Sequence, residues 1–208
     1  MPLYSMAIAD GSITNLGGSL KDICDITFKQ SGSVLYGLST HAGGQLFTID
    51  TSNGATTKIG GGTLGNITDL FFDNDDGILY GYSPLDGGSI YSIDQSTAAP
   101  TLVVNRGVSG LSDFTCCESL GSGVGLFYRQ IAAVVDVLAT GEVVVTATID
   151  TDVRSIARDN VNNRSYVLRP RRLFRFNEDD SQTTIATEGL GTMRAMAYDG
   201  SANLFLVG

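Results

Sequence analysis

Three aspartates, Asp25, Asp69 and Asp113, recur at intervals of 44 residues, and the series continues to Ser155 and Ala195 after 42 and 40 residues. Arg154 and Arg194 stand one residue before the last two positions. If a repeating fold carries this position round a common axis, three carboxylates and two guanidiniums gather near one rim. Carboxylates so placed can hold a cation or a sugar, and two of them flanking a glycosidic bond form the acid and base of a hydrolase. The same residues also serve structure, because Asp at a strand start accepts backbone N–H groups from a neighbouring segment. The structural use is favoured. Asp25, Asp69, Asp113, Arg154 and Arg194 are the candidate ligand-binding residues of this rim, and no residue is assigned as catalytic.

The other reactive side chains give weaker signals. Asp73-Asn74-Asp75-Asp76-Gly77 has the composition of a calcium loop, but Gly77 falls where an oxygen ligand is required and no Glu follows at the proper distance. It reads as a hairpin turn. His41 is the single histidine, inside Ser39-Thr40-His41-Ala42-Gly43-Gly44, so a Ser-His-Asp triad would have to pass through a glycine-rich turn. Cys24, Cys116 and Cys117 show no CxxC spacing, and a vicinal bridge between the last two would distort the backbone, so buried free thiols are expected and no metal site. Asn66-Ile67-Thr68 and Asn163-Arg164-Ser165 match glycosylation sequons, read as coincidental. Arg169, Arg171 and Arg172, around Pro170, form the one basic cluster and read as a solvated connection.

The elements that position these residues follow from a repeat. Leu46-Phe47-Thr48-Ile49-Asp50 is echoed by Ile90-Tyr91-Ser92-Ile93-Asp94, more faintly by Leu173-Phe174-Arg175-Phe176-Asn177 and Ala132-Ala133-Val134-Val135-Asp136, and at the start by Leu3-Tyr4-Ser5-Met6. Polar turns such as Thr51-Ser52-Asn53-Gly54 lead from these strands into Thr-rich segments, including Ala55 to Ile59 and Gln182 to Ile185, which is a hairpin signature. Upstream lies a second pair: Asp25 to Phe28 with Leu35-Tyr36-Gly37, Asp69 to Phe72 with Leu79-Tyr80-Gly81, Asp113 to Cys116 with Leu126-Phe127-Tyr128, Ser155 to Arg158 with Tyr166-Val167-Leu168, and Ala195 to Tyr198 with Leu204-Phe205-Leu206.

Four short strands in about 40 to 45 residues make one propeller blade, and no 3.6-residue apolar rhythm argues for helices. The expected fold is all-β: a five-bladed β-propeller of four-stranded antiparallel blades in a single domain, 1–208. Its closure comes from the termini, residues 2–17 completing the blade begun by 193–208.

The runs Gly77-Ile78-Leu79-Tyr80-Gly81-Tyr82 and Gln45 through Gly60 read as LYG followed by LF-x-ID-x-x-x-G-x-x-T-x-IG. This resembles the NHL and YVTN propeller repeats and bacterial domains with blades of the form LYGI…LYxIDxxTGxxTxIG. The resemblance spans essentially the whole chain, best over 25–104, and implies the fold with a ligand-binding or adhesive role. The third and fourth repeats depart from it: Ala132-Ala133 replaces the aromatic hairpin residue, and Arg158 sits where Phe28 and Phe72 sit. Arg158 and Glu118, with the loop from Glu118 to Gly125, are therefore the candidate partner contacts.

Composition narrows the function. A net charge of −9 and a pI near 4.4 argue against nucleic acid, whose binding needs clustered Lys and Arg. No apolar run reaches the roughly 18 to 20 residues of a membrane span, and the start lacks the basic and apolar regions of an export signal. The expectation is a non-enzymatic recognition or assembly module without a cofactor, meeting a protein or a glycan through short loops. A virion setting (phage tail, fibre or decoration) or a cell surface is favoured over the cytoplasm. The alternative is a small carbohydrate-active enzyme or lectin using the acidic rim. Against it, the chain has no Trp to stack a sugar, and its connections are short.

Overall fold

The computed structural model describes residues 1–20, 22–29, 32–74, 76–105, 111–114, 124–128, 133–137, 143–148, 153–159, 162, 164–176 and 181–208, with residues 104–148 given by backbone alone. Among them the strands form five four-stranded antiparallel sheets. The first comprises β3 (Ile23–Lys29), β4 (Val34–Ser39), β5 (Gln45–Ile49) and β6 (Thr56–Lys58). The second comprises β7 (Asp69–Phe72), β8 (Leu79–Ser83), β9 (Ser89–Ile93) and β10 (Pro100–Asn105). The third, defined by its strand pairing, holds β11 (Leu111–Phe114), β12 (Val124–Tyr128), β13 (Ala133–Val137) and β14 (Val143–Thr148). The fourth holds β15 (Ser155–Asp159), β16 (Arg164–Arg169), β17 (Arg172–Phe176) and β18 (Gln182–Ala186).

The last sheet joins the two ends of the chain. Its order is β19 (Ala195–Tyr198), β20 (Asn203–Val207), β1 (Leu3–Ala7), β2 (Ile13–Gly17). The ladder between β1 and β20 runs without a break from Leu3 opposite Val207 to Ala7 opposite Asn203. The innermost strands neighbour one another in the order β19, β3, β7, β11, β15 and back to β19. The architecture is an all-β propeller of four-stranded antiparallel blades, four of them described with their side chains.

The apolar pattern dictates this stacking, because alternate residues of a strand face opposite sides of its sheet. In β20, Phe205 and Val207 pack with Ile23, Ile26, Phe28 and Leu35 of the first blade, while Leu204 and Leu206 pack with Tyr166, Leu168 and Leu173 of the fourth. Each described inner strand is covered on both sides, and Asp69–Phe72 is buried throughout. The outermost strands meet water, which is why Thr56–Lys58 and Gln182–Thr184 are polar and exposed.

The Leu-Tyr-Gly motif has a steric cause. A Cβ on Gly81 would lie 2.8 Å from Ile67 Cγ2 and 2.9 Å from Ile93 Cδ1, and one on Gly37 would lie 2.7 Å from Ile49 Cδ1. Two isoleucines close over each glycine. In the fourth blade Val167 takes the same register, opposite Ile156, and the residue standing where Ile67 stands is the smaller Val153.

Several sequence expectations shift in detail. The strand expected over Asp113 to Cys116 is Leu111–Phe114, leaving Cys116 and Cys117 outside the described residues. The third sheet contains an outer strand, Val143–Thr148, for which the repeat pattern gave no counterpart. β13 and β17 are each displaced by one residue, to Ala133–Val137 and Arg172–Phe176.

Candidate functional site: the inter-blade rim

The recurring position is the first residue of β7, β15 and β19 and the third of β3 and β11. Asp25 and Asp69 are both buried. The Leu70 amide donates to Asp25 Oδ2 at 2.6 Å, and the Phe72 amide donates to Thr27 Oγ1 at 3.2 Å. Ser155 does the same where the series has lost its aspartate: its Oγ accepts the Met196 amide at 3.0 Å. In both cases the side chain holds the residue just after its own equivalent in the next blade. The repeat therefore encodes a latch, since inner strands of adjacent blades are not laddered together and their amides need acceptors.

The residue before each latch also reaches forward. The β3 register passes from Ile23 opposite Ser39 to Asp25 opposite Leu38, so Cys24 is the extra residue of a bulge, and β11 skips at Ser112 in the same way. The Cys24 thiol lies 3.3 Å from the Leu38 carbonyl and 3.8 Å from the Thr68 carbonyl of the next blade. Arg154, at the same place in the fourth blade, donates from Nη1 to the Met193 carbonyl at 2.9 Å and the Gly191 carbonyl at 3.0 Å. Arg194 is exposed.

Burial sets the electrostatics here. It pushes the Asp69 carboxyl up to about 6, against the opposing hydrogen bond that Thr68 Oγ1 donates to it. The Cys24 thiol is pushed up to about 12, by burial first and then by the carboxyls of Asp25 and Asp69. Cys24 is thus a free, half-buried thiol of low reactivity.

Of the other expected residues, those with described side chains are spread over the two ends of the sheets. Asp113 lies in β11, whose side chains are not described, and Glu118, Cys116, Cys117 and Asn163 fall outside the described residues. Arg158 is half-buried and donates from Nη1 to Ser165 Oγ at 2.8 Å, its cross-strand partner. His41 is exposed in a 3-10 turn, His41–Gly43. The hairpin turn between β7 and β8 is closed by the Gly77 amide on the Asp73 carbonyl at 3.0 Å. Asn66 is exposed and donates to Asp86 Oδ1 at 3.0 Å.

Sequence reasoning missed two repeated devices. Asp50 and Asp94 cap the turns after β5 and β9: Asp50 Oδ1 accepts the Ser52 amide at 2.8 Å, and Asp94 Oδ1 accepts those of Ser96 and Thr97, each at 2.8 Å. The hydroxyls of Ser52 and Ser96, donating to the same oxygens, hold the two carboxyls below the ordinary range, with these amides adding to the effect. The second device precedes the inner strands, where the amides of Ile23, Ile67 and Met193 each donate to a buried leucine three residues earlier, Leu20, Leu64 and Leu190. The spacing Leu-x-x-Ile/Met two residues before Asp25, Asp69 and Ala195 was its visible signal.

No family model matches the chain, and no curated protein does. Solved structures do match. A structural-genomics protein of unknown function from Bacteroides thetaiotaomicron has a TM-score of 0.66 at 14% identity, over 96% of this chain and 62% of that one. A nidogen/laminin complex structure has a TM-score of 0.64 at 13% identity, over 99% and 84%. TolB from Acinetobacter baumannii has a TM-score of 0.57 at 12% identity, over 99% and 62%. The chain thus spans less than two thirds of the Bacteroides and TolB chains. Identities at this level speak for the fold and for nothing finer, and that fold is the β-propeller.

Proposed function

We propose that the chain is a non-enzymatic recognition or assembly module: a five-bladed propeller in one domain, 1–208, whose sheet ends present short loops to a protein partner. The observation that supports it most is the use made of the acidic rim. Asp25 serves the Leu70 amide across a blade boundary, and Ser155 performs the same task without a carboxylate. A position that tolerates Asp-to-Ser exchange while keeping its bond serves the scaffold. Arg154 is likewise engaged by backbone carbonyls, whereas Arg194 is exposed and offers a contact. Likeness to a chain in a nidogen/laminin complex adds support for a propeller used between proteins. A virion or cell-surface setting fits a rigid module of this kind.

The competing reading is a carbohydrate-active enzyme. The raised Asp69 carboxyl is the one feature that favours it, since a general acid needs such a shift. A panel of glycoside substrates assayed with the wild type and with Asp69→Asn separates the two. The recognition reading expects no turnover from either protein; turnover by the wild type that vanishes with Asp69→Asn overturns it.

A further inference from the structure

One end of the sheets gathers arginines in a single sector, with Asp22 and Asp86 at the same end in the first and second blades, and the other end gathers aspartate turns. The latch hydrogen bonds place all described inner-strand starts at one end, and antiparallel pairing brings the β16–β17 hairpin to that end with them. The Arg154 amide donates to the Leu168 carbonyl at 2.8 Å, Arg169 pairs with Arg172, and the Arg154 guanidinium reaches the carbonyl of Met193, next to Arg194. Arg154, Arg169, Arg171, Arg172 and Arg194 therefore share one sector of one end, with Glu188 the acidic residue of the adjoining connection. Arg171, Arg172 and Arg194 are exposed.

The Pro170-Arg171 turn adds a second observation. Arg171 has φ 65°, the third position of a turn that favours glycine, and a long side chain held there costs backbone strain. Strain retained at an exposed tip points to use of the tip.

The opposite end carries the turns. Asp10, Asp50, Asp76 and Asp94 are exposed there, and Asp73 and Asp199 are half-buried. Hydrogen bonds within the turns hold the carboxyls of Asp10, Asp50 and Asp94 below the ordinary range; at Asp199 burial pushes upward but hydrogen bonds from Asn203 and Ser201 together outweigh it, so this end keeps its negative charge into mildly acidic solution. Lys29, half-buried and bound through Nζ to Gln95 Oε1 at 2.7 Å, and half-buried Arg164, opposite Asp159, are basic residues at this end.

We propose that copies of this chain associate head to tail, the arginine end of one docking on the aspartate turns of the next. The inference rests on the assembly reading above and names its partner as a second copy. Such a contact is heterologous, so repetition builds a ring or a filament.

Sedimentation velocity on the full chain tests it. The wild type should show a mass that rises with concentration at about 20 mM salt and returns to the monomer at about 1 M, where screening shortens to roughly 3 Å. Arg171→Glu/Arg172→Glu alters exposed residues of one end, while Asp50→Asn/Asp94→Asn removes charge but keeps an acceptor for each turn. Each double variant alone should associate at least tenfold more weakly. Their equimolar mixture should form a dimer and stop, since only one charged pair of ends survives. A monomeric wild type at low salt, association indifferent to salt or to both variants, or a mixture that fails to pair overturns the proposal. A monomer that still binds another protein overturns stacking alone; turnover in the glycoside assay is what overturns the recognition reading.

Discussion

At the scale of single residues, the rim is governed by burial and by unpaired amides. Replacing Asp25 with Ala strands the Leu70 amide between blades, and an orphaned buried donor costs about 1–3 kcal/mol. Asp25→Asn keeps an acceptor and should cost less; paired urea unfolding curves measure the difference. Asp69 has the opposite sign from a salt-bridged carboxylate. Its folded value, about 6, lies above the 3.8 of the free side chain, so its contribution is complete below pH 3.8 and is lost as pH rises through 6. Two units correspond to about 3 kcal/mol. Asp69→Asn should flatten the stability profile between pH 4 and 6 in thermal unfolding. Cys24, with its thiol raised to about 12, should resist iodoacetamide at pH 8 in a Cys116→Ser/Cys117→Ser background and react once urea unfolds the chain. The spacing of Asp25 and Asp69 and the structural use of Asp25 were legible from the sequence, but the partner was not, because the Leu70 amide sits 45 residues away in the next blade.

At the scale of elements, each blade is a stack of compromises between its two neighbours. Gly81 lies under Ile67 and Ile93, and Gly81→Ala should overpack the two at a cost of about 1–3 kcal/mol, read as a lower midpoint in urea. The Leu-Tyr-Gly repeat announced these strands because its glycine is demanded by side chains from within the same repeat. The outer strand Val143–Thr148 was hidden for the converse reason: outermost strands answer to one neighbour and to water, so their composition drifts. β1 is held on both sides, by β2 and by β20. Ser5→Pro removes a ladder donor and inserts a ring between two paired strands, at a cost of about 3 kcal/mol or more, and should lower Tm well beyond the glycine substitution.

At the scale of the molecule, closure is the claim on which the recognition reading depends, since a ring without open edges presents its loops on a rigid frame. The apolar sets of the closing blade face the first and the fourth blades in alternation, and the ladder between β1 and β20 completes the sheet. Closure was legible because the repeat is interrupted at the same point at both ends of the sequence. The gathering of the aspartate turns was not, since it arises only when turns scattered along the chain are brought to one end. Amide hydrogen exchange measured residue by residue is the most direct test. The amides of Leu70 and Met196, and those of the ladder between β1 and β20, should exchange as slowly as the amides between β4 and β5. Rapid exchange along β1 and β20, with slow exchange elsewhere, would show frayed ends and an open array, and would contradict the closed propeller.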